Sequence, residues 1–144
     1  MKHFLIAIGA VIVVIVAFFA YRHAAVAPVT SDAVHVTSPA AGAVITSPLM
    51  ITGEARGTWF FQASLPVMLL DANRAAVMNA GGMEVAAVAA QADGEWMTED
   101  FVPFSATIPF TAPATNAGFL VVSKDNPSGL PENDMSVEIP VRFR

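Results

Sequence analysis

Few residues in this chain are of types that do chemistry, and their spacing limits what each could do. His35 is the only histidine beyond residue 23. A nucleophilic triad needs a histidine held between an acid and an exposed hydroxyl, and no Gly-x-Ser-x-Gly turn accompanies it. Within Ala33-Val-His-Val-Thr37 it reads as a strand-surface side chain. Asp93, Glu95, Glu99 and Asp100 supply neighbouring carboxylates, which glycoside hydrolysis needs roughly 5 to 10 Å apart across a cleft. A small glycan hydrolase would use Glu95 and Glu99. Beside turn residues, and in a domain with little room for a cleft, they read instead as a solvated loop, and the chain is expected not to be an enzyme.

The segment Lys124–Asp134 holds five oxygen-bearing side chains, Asp125, Asn126, Glu132, Asn133 and Asp134. Calcium takes six to eight oxygen ligands, so these are the candidate metal ligands. Their spacing matches no EF-hand, and Pro127, Gly129 and Pro131 are residues of a rigid turn. The expectation is a structural loop, without metal or cofactor, whose Asp125, Asn126, Ser128 and Leu130 can meet a partner. Thr58-Trp59-Phe60-Phe61-Gln62 is the third candidate. Three successive aromatics on a strand cannot share one face. Either Trp59 and Phe61 point inward and Phe60 outward, or the reverse. The first arrangement makes Phe60 a partner-binding residue. Trp96 reads as core or edge packing, with a sugar-binding platform as the alternative.

The elements that must position these residues are short apolar runs separated by Pro, Gly, Asn and Asp. Val137, Ile139, Val141 and Phe143 alternate with polar residues and Pro140, a period of two that places four apolar side chains on one face. Pro140 cannot donate to a ladder and suggests an edge or a bulge. Phe104, Ala106, Ile108 and Phe110 alternate likewise. Leu65–Leu70 and Gly118–Ser123 are continuous buried runs, and Ala33–Thr37, Ala43–Thr46 and Leu49–Thr52 are earlier strands. Met83–Ala90 is expected to be a strand because Gly81-Gly82 and Asp93-Gly94 bound it closely. About seven short strands with frequent turns describe an all-β sandwich.

Ahead of them runs Phe4–Tyr21, 18 uncharged residues flanked by Lys2 and Arg22. As a helix it would rise about 27 Å, near the thickness of a hydrocarbon core. It is longer than a typical signal-peptide core, and Ala25-Val-Ala27 is followed by Pro28, a poor residue after a cleavage site. The expected organisation is a transmembrane anchor over residues 1–23, a tether over 24–33 and one domain over 34–144. Beyond Arg22 five Lys and Arg face twelve Asp and Glu, which argues against nucleic acid. With no cysteine in the chain, disulfides, thiol catalysis and cysteine metal sites are excluded.

His35-Val-Thr-Ser-Pro39, Gly42, Ser47-Pro-Leu49, Ile51-Thr-Gly-Glu-Ala55 and Ile139-Pro-Val141, with Phe61, Leu65–Asp71, Gly94-Glu-Trp96, Phe104 and Phe110 between them, follow one another in an order that resembles the bacterial spore-germination immunoglobulin-like domain, one of the Gmad domains. At Arg74, after the Asp71-Ala-Asn73 turn, that family commonly has glycine. The resemblance implies an immunoglobulin-like fold and a non-catalytic, extracytoplasmic role. Together with the anchor it leads to a single-pass protein of the cell membrane. Its sandwich would lie outside and bind an envelope protein or a cell-wall partner. The alternative is a carbohydrate- or peptidoglycan-binding module using Trp96 and Trp59.

Overall fold

The computed structural model describes residues 29–79, 81–83 and 87–144. The apolar run Phe4–Tyr21 and the anchor predicted from it lie outside these. Among the described residues no helix is long and apolar enough to cross a membrane.

Nine strands form one continuous hydrogen-bonded sheet. They are β1 (Val29–Thr30), β2 (Val34–Ser38), β3 (Ala43–Ile45), β4 (Leu49–Arg56), β5 (Ser64–Asp71), β6 (Val88–Ala92), β7 (Phe101–Ile108), β8 (Ala117–Ser123) and β9 (Ser136–Phe143). The spatial order is β1-β2-β4-β7-β6-β5-β8-β9-β3. The sheet curls so that β1-β2-β4-β7 faces β5-β8-β9-β3 across a shared core, an immunoglobulin-like sandwich. The eight runs expected as strands each have a counterpart, and the described residues hold nine strands. The addition, β1, lies inside the segment read as tether and pairs Val29 with Val36 and Thr30 with His35.

β6 joins the two layers. Its residues pair with β5 from Ser64↔Gln91 to Val67↔Val88 and with β7 only at Gln91↔Ser105 and Ala92↔Phe104. The strand expected over Met83–Ala90 therefore begins at Val88 and runs to Ala92. The Ala-rich composition carried no period by which its register could have been read.

Alternation decides which side chains meet in the core. In β9 Ile139, Val141 and Phe143 are buried while Glu138, Pro140 and Arg142 face solvent, as their period of two predicts. Ile51, Leu65, Leu69, Ile108, Leu120 and Ile139 are the largest fully buried side chains, each stabilising the fold by roughly 1.5–3 kcal/mol through transfer from water. Phe110 packs edge-on against Phe143, with centroids 5.7 Å apart. At Gly53 a Cβ would sit 2.4 Å from the His35 carbonyl oxygen, so only glycine fits beneath the irregularity where β2 shifts register between Val36 and Ser38.

After Ser38 the chain crosses to the other layer, where β3 runs parallel to β9 from Ala43↔Val141 to Ile45↔Phe143. Pro140 stands just before the position where β3 begins, and its carbonyl accepts the Gly42 N–H at 2.7 Å. β9 is thus an edge strand over its first half and covered over its second, which is how a proline is accommodated. The registers of all these strands put three loops at one end of the sandwich, residues 57–63, 93–100 and 124–135. The opposite end, here the base, carries residues 39–48, 72–79, 81–83 and 109–116.

Candidate interaction surface at the loop end

The first of the three loops begins with a 3₁₀ turn, Gly57–Trp59. That turn breaks the two-residue alternation on which the expectation for the aromatics rested. Trp59 and Phe60 are both buried, 3% and 5% exposed, and Phe61 faces solvent at 41%. Phe60, expected to face outward as a partner-binding residue, is instead packed inward. It packs edge-on to Phe104, centroids 6.5 Å apart, and the outward aromatic is Phe61. Trp59, locked in the core, cannot serve as a sugar platform. Phe61 and Ser64 then exchange two backbone hydrogen bonds across Gln62 and Ala63, whose φ angles of 52° and 60° are left-handed. This is the geometry of a type I′ turn made without glycine or asparagine, and each residue carries a conformational penalty of about 1 kcal/mol.

The three loops are bonded to one another. The Gly57 N–H donates to the Asp100 carbonyl at 3.0 Å, the Asp125 N–H to the Trp59 carbonyl at 2.9 Å, and the Ala92 N–H to the Ala63 carbonyl at 2.8 Å. The Arg56 guanidinium adds a hydrogen bond to the Glu99 carbonyl at 3.3 Å. Close approach is enforced at Gly57, where a Cβ would lie 2.0 Å from the Thr98 carbonyl oxygen and 2.4 Å from that of Trp96.

The loop 124–135 is ordered from within. The Asn126 amide nitrogen donates to the Leu130 carbonyl at 2.8 Å and to Asp134 Oδ1 at 2.7 Å. Its oxygen accepts from the Ser128 hydroxyl, which in turn accepts from Asn133 Nδ2 at 3.0 Å. Asn126, Ser128, Asn133 and Asp134 thus spend polar atoms on the loop itself. Of the five candidate calcium ligands, Asp125 and Glu132 make no side-chain hydrogen bond among those described. No group of three or more His, Cys, Asp or Glu side chains that could hold a metal ion occurs among the described residues. Leu130 is half exposed at the tip of the loop.

The remaining candidates separate. Trp96 is half-buried against the core and lines a shallow cleft of about 310 Å³ with Gly57, Thr58, Phe60, Met97, Thr98 and Glu99. Glu95 instead lines a neighbouring hollow with Asp93 and Asp100, and its carboxylate accepts the Met97 N–H at 2.9 Å. Glu95 and Glu99 therefore do not face each other across one cleft. His35 lies on the outer face of β2, its Nδ1 2.8 Å from Glu54 Oε1 and its ring stacked on Phe101 at 4.4 Å. Ser31 lines a surface hollow with Asp32, His35, Arg56 and Phe101, but its hydroxyl serves its own turn, donating to the Val34 carbonyl and accepting from the Ala33 and Val34 N–H groups.

The surface that results combines carboxylates with apolar side chains. Asp93, Glu95, Glu99, Asp100, Glu132 and Asp134 are exposed at this end, and so are Phe61, Met97, Leu130 and Met135. Leu130 and the acids are legible in the sequence as loop residues and Phe61 is left open between inward and outward, but Met97 and Met135 are not found. Lone apolar residues inside polar loops carry no periodicity, so only tertiary placement reveals them.

A two-layered all-β sandwich of this strand order is immunoglobulin-like in architecture. Residues 33–130 match the family described as the immunoglobulin-like domain of bacterial spore germination, and the chain belongs to it. No curated protein and no solved structure was found to match the chain. β9, which closes the sheet beside β8, lies beyond the matched residues.

Proposed function

We propose that this protein is a non-catalytic, membrane-tethered interaction module of the bacterial envelope. It would bind a protein partner through the end formed by loops 57–63, 93–100 and 124–135. The observation that carries the reading is the mutual hydrogen bonding of these loops around Gly57, Trp59 and Asp125. A surface ordered before binding loses little entropy on association, and exposed Phe61, Met97 and Leu130 supply apolar anchors within a polar rim. Clustered carboxylates favour a basic protein face and oppose polyanionic wall polymers. The apolar run Phe4–Tyr21 supports a single-pass tether with the domain outside.

Crosslinking of the full chain in envelope membranes, from a photoreactive residue at Leu130 or Met97, should capture a partner that one at Val44 does not. Capture should fall with rising salt and with Leu130→Asp. Capture unaffected by either would sink the reading. A peptidoglycan-binding module remains the second reading because Trp96 is part-exposed in its cleft. Binding to purified sacculi that Trp96→Ala abolishes would select it.

A further inference from the structure

We infer that the base of the sandwich rests on the surface of an anionic lipid bilayer and that the loop end points away from it. This rests on the tether reading and adds an orientation to it. β1 runs antiparallel to β2, Val29 beside Val36 and Thr30 beside His35. The register of β2 on β4, with Val34 opposite Ala55, makes β1 run towards the loop end. The chain therefore enters the domain from the side of the base. Seven residues separate Tyr21 from Val29, a covalent reach of at most about 25 Å, comparable to the height of an eight-residue strand. Val29 sits at mid-height of the sheet, opposite Val36, so it is the direction of entry, with this short reach, that favours the base as the membrane-facing end.

The surface chemistry of the base suits that place. Residues 39–48, 75–83 and 109–117 contain no charged residue and Arg74 is the one charge in the described base connections, whereas the loops at the other end are rich in carboxylates. Val44, Met50, Met78 and Met83 are exposed on the base half. The cations Arg142 and Arg144 lie at the base end of β9, exposed to solvent. Glu84 lies outside the described residues. Exposed apolar side chains at the same end as these arginines, with Val44 opposite Arg142, fit an anionic headgroup layer, and the same layer repels the acidic loop end.

The chain has no cysteine, so single cysteines can report depth. The full chain would be reconstituted in vesicles of phosphatidylglycerol and phosphatidylcholine, with a fluorophore at Met50→Cys, Met83→Cys, Met97→Cys or Leu130→Cys. Spin-labelled lipid would serve as quencher. Labels at 50 and 83 should be quenched several-fold more than labels at 97 and 130, and Arg142→Glu or pure phosphatidylcholine should narrow the gap. Equal quenching at both ends, in protein that floats with the vesicles, overturns the orientation and leaves the tether standing. Protein that fails to float with vesicles overturns both.

Discussion

The two ends of this sandwich are built from loops of similar length and opposite chemistry. At the loop end the connections are rich in carboxylates and are tied by backbone hydrogen bonds into one surface. At the base the connections carry no charge over residues 39–48, 75–83 and 109–117. Each end exposes four large apolar side chains, Phe61, Met97, Leu130 and Met135 at one and Val44, Met50, Met78 and Met83 at the other. Exposed apolar area alone therefore says nothing about which end meets what. The charge around it and the bonding beneath it make the distinction.

The largest expected effect comes from removing the residue on which the loop end is built. Trp59→Ala should lower unfolding free energy by about 3–5 kcal/mol, measured by denaturant titration, and abolish partner capture. Trp96→Ala, half-buried, should have a markedly smaller effect; equal losses would mean that Trp96, not Trp59, is the keystone. Gly57→Ala should follow at about 1–3 kcal/mol, since the added methyl meets the Thr98 and Trp96 carbonyls.

Ala63→Gly relieves a left-handed φ and should raise stability by roughly 0.5–1 kcal/mol; a loss instead would show that the turn geometry differs. Leu130→Ser and Met50→Ser should each leave stability within about 0.5 kcal/mol yet separate function. The first should reduce partner capture and the second membrane contact. Loss of both properties in either variant would erase the contrast between the ends.

The smallest effect concerns the pair that spans from base to mid-sheet. Arg74 binds Glu138 through two hydrogen bonds, 2.5 and 2.9 Å. These hold the Glu138 carboxyl below its ordinary range and raise the guanidinium. Because the folded-state value is lowered, the pair's contribution is present at neutral pH and fades as pH falls through it. The stability difference between wild type and Glu138→Gln, measured by thermal unfolding at several pH values, should therefore vanish in acid. Arg74 also has a left-handed φ of 66° at the position where the family commonly has glycine. Arg74→Ala keeps that strain and loses the pair, so it should unfold at a lower temperature than Arg74→Gly.

Much of the sheet was legible because alternation is a local signal. The faces of β9 and β7 follow directly from Val137 to Phe143 and Phe104 to Phe110. The sequence was misread where a local rule was interrupted. The turn at Gly57–Trp59 moved Phe60 inward and Phe61 outward, and nothing in three adjacent aromatics announces a 3₁₀ turn. β6 was displaced because alanines pack equally well in either register. β1 was missed because two residues hold no period at all. Of the site, the acids and Leu130 could be read in advance as loop residues. Their assembly with Met97 and Phe61 depends on contacts between loops about 40 to 66 positions apart, as Gly57 with Asp100 and Asp125 with Trp59 show.

The parallel pairing of β3 with β9 has a consequence for the order of folding. Ala43 lies opposite Val141, and β3 has no other neighbour in the sheet. β3 is made early and has nowhere to bind until the chain through β9 has emerged. Such long-range pairing slows folding. The sandwich therefore stays open along that edge until β9 has been made, so closure of the fold waits on its ninth strand.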